Sequence, residues 1–147
     1  MTDARLQRTI PAPPARVFRA WLDPGLLARW MTPGESFEVV KAEVDPRPGG
    51  HFRVFHADDG GFEATFVEVD EPSRLALEWS FVGPRRLAGP HFPSLLTVVL
   101  EPVGDGQTLL TLVHTRLDDL AAAMPPVASQ VSEGWSHALD QLPGALS

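Results

Sequence analysis

Residues 45–55 read DPRPGGHFRVF. Two explanations compete for an acid, an arginine, two prolines and a glycine pair that run into an alternating aromatic stretch: a phosphate-cradling loop, or a tight turn feeding a strand. A phosphate loop has to open a helix, whose first amides and dipole hold the anion. Residues 51–55 alternate instead, with Phe52 and Val54 on one face, so the segment is predicted to reverse the chain and enter a strand. Pro46 and Pro48 keep the approach extended, and Gly49 and Gly50 are expected to take the positive φ angles of a tight reversal.

On either side of this turn, period-two alternation predicts strands at 36–44, 51–56, 62–70, 74–81, 94–102 and 107–115, joined by turn-forming ADDGG, DEPS and VGDG. Residues 82–93, with three prolines and no period, are expected to form a longer loop. Before the turn, 4–10 reads as a short strand. Pro13 and Pro14 then start a helix carrying Val17, Phe18 and Trp21 on one face, Pro24 stops it, and 25–31 forms a second short helix. After the strands, DDLAAAM suggests a brief helical turn. Residues 127–142 place Val131, Trp135, Ala138 and Leu142 on one face of a terminal helix. Short local turns imply an antiparallel meander. The predicted fold is therefore α+β: a curved, antiparallel seven-stranded sheet wrapped around one long C-terminal helix, in a single domain spanning 1–147. A lone helix is hard-pressed to fill the space inside a strongly curled sheet, so an internal cavity is expected.

A chain of 147 residues with 44% apolar and 21% charged residues can bury a sizeable core. Its net charge of −7 and the lack of any long basic run argue against nucleic acid and anionic membranes as partners. With no cysteine there is no disulfide, thiolate nucleophile or Cys-ligated metal. The N-terminus lacks an apolar signal core, and no apolar run approaches membrane-spanning length, so a cytoplasmic location is expected. The five histidines are scattered rather than paired at helical spacing, so neither a metal nor another cofactor is expected. No G-x-S-x-G elbow occurs, and neither Ser94 nor Ser132 has a nucleophile's setting.

The stretches RTIPAPPARVFRAWLDPGLLARWM, VDPRPGGHFRV, FVEVDEPSRLALEW, TLLTLVHTRL and EGWSHALDQL, in this order along the chain, resemble the bacterial homologues of the C-terminal domain of the heat-shock-protein-90 ATPase activator, within the START-like SRPBCC superfamily. The resemblance covers nearly the whole chain and implies a helix-grip fold with an interior pocket. That superfamily carries lipid carriers, polyketide cyclases and co-chaperone domains on one scaffold, so fold alone does not choose among them. The co-chaperones have an additional N-terminal domain, for which this length leaves no room.

Strand parity nominates the inner wall. Leu75, Leu77, Trp79 and Phe81 share one face of their strand; Phe52, Val54 and His56 share another, and Leu110, Leu112 and His114 a third. Trp135 comes from the terminal helix, and Trp30 could close one end. The residues expected to line a ligand site are thus Trp30, Phe52, Val54, Trp79, Phe81, Leu112, His114 and Trp135, with Trp21 assigned to the core. His114 is also a weak catalytic candidate, since an imidazole on an apolar face can act as acid or base. His56 and His91 read as surface histidines. Asp45 and Arg47 read as an ion pair holding the turn, and Glu63 remains ambiguous because both faces of its strand are apolar.

The leading expectation is a non-enzymatic carrier or sensor that encloses a small hydrophobic or aromatic molecule. The alternatives are a polyketide cyclase or dehydratase-like enzyme using His114, and a stress-related co-chaperone-like interaction protein. Apolar residues on an edge strand could support a homodimer.

Overall fold

The computed structural model describes residues 4–31, 39–56, 61–82, 91–116 and 131–146; the side chains of 81, 82 and 91–93 lie outside that description. The elements are β1 (Ala4–Ile10), α1 (Pro14–Ala20), α2 (Pro24–Trp30), β2 (Val39–Val44), β3 (His51–His56), β4 (Gly61–Asp70), β5 (Arg74–Val82), β6 (His91–Pro102), β7 (Thr108–Thr115) and α3 (Val131–Ala145). All seven strands pair antiparallel in one sheet of order β1-β7-β6-β5-β4-β3-β2. The open curved sheet and its C-terminal helix make the helix-grip architecture that the order of elements predicted. The expected helical turn at DDLAAAM and residues 127–130 of the expected terminal helix lie outside the described residues.

The deciding turn is built as a bracket between three strands. Asp45 N–H donates to the His51 carbonyl at 2.8 Å, and Gly50 N–H to the Arg47 carbonyl at 2.8 Å. Gly49 N–H and the Gly50 carbonyl then exchange bonds of 2.8 and 2.9 Å with the backbone of Phe66 in β4. The turn is thereby stitched into the ladder that β3 and β4 continue. Arg47 Nε donates to Asp45 Oδ2 at 2.8 Å, as the spacing suggested. Gly49 has φ +84°. Gly50 does not share that conformation: it is required for room, because a Cβ there would stand 2.1 Å from the Asp45 carbonyl oxygen.

Three boundaries differ from the sequence reading. Pro24 does more than stop α1: it is the first residue of α2, whose cap is Asp23, with Oδ1 accepting from Gly25 N at 2.8 Å and Leu26 N at 3.2 Å. Strand β6 begins at His91, inside the expected loop. Two residues, Phe92 and Pro93, stand against the single Ser80 between the pairs His91–Phe81 and Ser94–Trp79; a bulge of this kind frees the strand from needing an amide at Pro93. Helix α3 runs past Leu142 through Pro143 to Ala145. Its last carbonyls are held from outside. Arg29 donates to Ala145 O at 3.2 Å and Gly144 O at 3.4 Å, and Arg16 donates to Leu146 O. Cations at a helix C-terminus satisfy orphan carbonyls and complement the dipole.

The core lies between the concave face of the sheet and the three helices. Val17, Phe18 and Trp21 of the first helical segment, Leu75, Leu77 and Trp79 of β5, Leu110 and Leu112 of β7, and Trp135, Leu139 and Leu142 of α3 are all buried. A second bulge explains why β4 looked apolar on both faces. The register shifts at Val67, so Phe66 opposes Leu77 and Val69 opposes Leu75, three positions apart on one face. Val67 itself is exposed, as is Val40 at the corresponding bulge in the edge strand β2.

The two glycines of the turn should respond differently. Gly50→Ala drives a methyl into backbone and is expected to cost upwards of about 3 kcal/mol, whereas Gly49→Ala meets only the left-handed conformation and should cost about 1–2 kcal/mol. Urea denaturation of both variants ranks them; equal losses would contradict this account of the turn.

Candidate functional site

Alternation on β3, β5 and β7 delivers the predicted wall. Phe52, Val54, Trp79, Leu112 and His114 are all buried on the inner face, and α3 brings Trp135 down between them. Ring centroids lie 5.4 Å apart for Phe52–Trp79, 5.3 Å for Trp79–Trp135, 6.3 Å for Trp79–His114 and 6.2 Å for His114–Trp135. Trp30 joins the cluster through Trp21, which lies 4.8 Å from it and 5.9 Å from Trp135. Its Nε1–H donates to the Ala20 carbonyl at 3.0 Å, locking α2 onto the end of α1. The Phe81 side chain lies outside the described residues.

The polar centre of this wall is a chain of hydrogen bonds whose directions can be derived. An indole N–H only donates, so Trp135 Nε1 gives its proton to His114 Nδ1 at 3.0 Å. Nδ1 is therefore unprotonated, and the neutral ring carries its hydrogen on Nε2. That atom lies 2.6 Å from Ser94 Oγ, which donates its own proton to the Trp79 carbonyl at 2.8 Å. The proton order runs from Trp135 to His114 to Ser94 to the backbone of β5. Burial disfavours the imidazolium and lowers the His114 pKa from its ordinary 6.5 to about 4. Protonation would also set an Nδ1–H against the indole N–H. Both ring nitrogens are thus engaged in structure, leaving His114 poorly placed as a general base.

Other expectations move. His56, read as a surface residue, is buried at the end of β3. Its Nε2 lies 3.3 Å from the Met31 carbonyl just beyond α2, and its ring stands edge-on to Phe62 at 5.2 Å. The packing of α2 over that strand end is a tertiary event with no local signature. The side chain of His91 lies outside the described residues. Glu63, opposite Arg53 and Ser80, occupies the face away from Phe62, Ala64 and Phe66.

Two members of this cluster escape a reading of the sequence. Phe62 is a ring neighbour of Trp79 at 5.0 Å and stacks on Trp135 at 6.5 Å; the bulge in β4 hides its face. Ser94 draws notice in the sequence only as a nucleophile, although its parity with the buried Leu96, Val98 and Leu100 points inward. The buried indole nitrogens of Trp21 and Trp79 have no hydrogen-bond partner among the described residues. An open cleft of about 360 Å³ beside Arg19, Leu22, Asp23, Pro24 and Glu71 lies elsewhere and contains none of the predicted site residues. No group of three or more metal-ligating side chains occurs among the described residues, and no helix there is long and apolar enough to cross a membrane.

Residues 11–147 match the family described as activator of Hsp90 ATPase homolog 1-like protein. Protein CV1439 from Chromobacterium violaceum is 30% identical over 97% of this chain and 95% of its own, with a TM-score of 0.77. PFC0360w, an HSP90 activator from Plasmodium falciparum, is 25% identical over 78% of this chain and 72% of its own, with a TM-score of 0.60. DynU16, from the dynemicin biosynthetic locus, shares the fold at 23% identity and a TM-score of 0.74, over 99% of this chain and 47% of its own. No curated protein matches the sequence.

The buried neutral imidazole makes stability depend on pH. Above pH 6.5 neither the folded nor the unfolded chain protonates this ring. Between 6.5 and about 4 the unfolded chain takes up a proton that the folded ring refuses, so stability falls as pH falls. The slope is roughly 1.4 kcal/mol per pH unit, and the contribution is constant below the window. His114→Gln can still accept from Trp135 and donate to Ser94 but does not titrate. Its urea unfolding free energy should lose this component of the acid slope, and an unchanged slope would contradict the assignment.

Proposed function

The chain belongs to the family of activator of Hsp90 ATPase homolog 1-like proteins, and on that footing we propose that it is a non-enzymatic binding module for a small hydrophobic or aromatic molecule, taken against the aromatic wall between sheet and α3. The observation that carries this reading is the concentration of Phe52, Phe62, Trp79 and Trp135 at one place, with ring centroids 5.0 to 6.5 Å apart. Flat apolar walls with few polar groups are what planar ligands bury against, and indoles supply large area at low entropic cost. The polar atoms of His114 and Ser94 are spent on one another and on Trp135 and Trp79. That arrangement supports positioning over proton transfer and weighs against a cyclase that uses His114 as its acid or base.

A second reading, an interaction protein working with an Hsp90-type chaperone, draws on the family description and on the likeness to the Plasmodium activator. Stimulation of ATP hydrolysis by a bacterial Hsp90 on addition of this protein would support it. No change in that rate at saturating protein would remove it.

The binding reading is tested by calorimetric titration with flavonoids, aromatic polyketides and fatty acids. At least one planar aromatic compound should bind, and Trp135→Phe should weaken it about tenfold while circular dichroism shows the fold retained. Absence of heat with every compound would count against the proposal.

A further inference from the structure

The buried interior contains four indole N–H groups, and their fates differ. Trp30 donates to the Ala20 carbonyl and Trp135 to His114 Nδ1. Trp21 and Trp79, both fully buried, have no acceptor among the described residues. Buried donors almost always find partners, and leaving one unmet carries the full penalty of stripping it of water. Both of these indoles touch the same third ring: Trp21 lies 5.9 Å and Trp79 5.3 Å from Trp135. They are also the only unpartnered buried side-chain polar atoms among the described residues, and both are donors. The uncommitted hydrogen-bonding capacity of this wall is thus one-sided.

We propose that the site selects ligands bearing hydrogen-bond acceptors, of the aromatic ketone or quinone class, whose carbonyl oxygens are received by the indole N–H groups of Trp79 and Trp21 beside Trp135. This rests on the reading that the aromatic wall takes a small molecule, and adds what distinguishes one planar molecule from another. A hydrocarbon or an alkyl chain leaves both donors unmet. A carbonyl-bearing ring of the same shape satisfies them, and a buried polar group discriminates strongly against a ligand that lacks its counterpart. A ligand that offers only donors gains nothing here.

A matched pair of probes tests the idea: 2-methyl-1,4-naphthoquinone and 2-methylnaphthalene, which share a ring frame and differ in two carbonyls. The chain has no cysteine, so the quinone meets no thiol. Isothermal calorimetry should show the quinone binding about tenfold or more tightly than the hydrocarbon. Trp79→Phe and Trp21→Phe should each weaken the quinone more than the hydrocarbon and so reduce that preference. In unmutated protein, nitrogen-15 spectra should show two of the four indole N–H signals moving downfield with the quinone and not with the hydrocarbon, which keeps the test independent of how well the variants fold. Equal affinity for the two probes, or downfield shifts with both, overturns the acceptor preference while the binding module stands. Binding of neither overturns the acceptor preference, and the binding module falls with it when the flavonoid, polyketide and fatty-acid titrations are silent as well.

Discussion

Helix α3 is held at a fixed rotation by the bond from the Trp135 indole to His114 Nδ1. A helix packed on a sheet by apolar contacts alone can slide or roll at small cost, because dispersion has little directional preference. One donor on the helix meeting one acceptor on β7 removes that freedom. The acceptor is fixed in turn by Ser94 on β6, and Ser94 by the backbone of β5. Three neighbouring strands and the helix are therefore registered through a single imidazole, which serves only while it is neutral.

Arginine completes what the imidazole begins. Arg8 on β1 reaches Ser136 at 2.7 Å and Asp140 at 3.3 Å on the exposed side of α3. Arg16 and Arg29, one from each small helix, receive the last turn of α3 by its carbonyls. Exposed ion pairs contribute little singly, but these contacts converge on one helix from three elements and hold its C-terminal end and one flank while Trp135 fixes the face toward the sheet. The aromatic wall gains its shape from that restraint: Phe62 and Trp79 face a ring whose position is set from elsewhere.

Much of this is legible in the sequence because strands announce their faces. The parity of Leu75, Leu77 and Trp79, and of Leu110, Leu112 and His114, carries straight into the folded protein. Parity fails where the ladder itself breaks step. The bulges at Val67 and before Ser94 insert a residue, so alternation cannot assign Phe62 to a side, and Pro93 reads as loop. Contacts made late in assembly leave no trace in the local sequence. His56 is buried where Met31, just beyond α2, meets it, and Gly50 is obligatory because a carbonyl five residues earlier curls back upon it. The partnership of Trp135 with His114 spans 21 positions; residue types alone nominate each but do not join them.

The strand order has a kinetic corollary. Strands β2 to β7 are sequential neighbours, each paired with the next, yet β1 pairs with β7, Ala4 facing His114 across 110 positions. Strand β1 is thus made well before the strand it pairs with, and until the seventh strand exists its backbone amides have no ladder to join. Closing so long a loop is entropically slow. In a growing chain β1 therefore waits unpaired across the making of the six other strands, and its docking on β7 also brings it against the terminal helix.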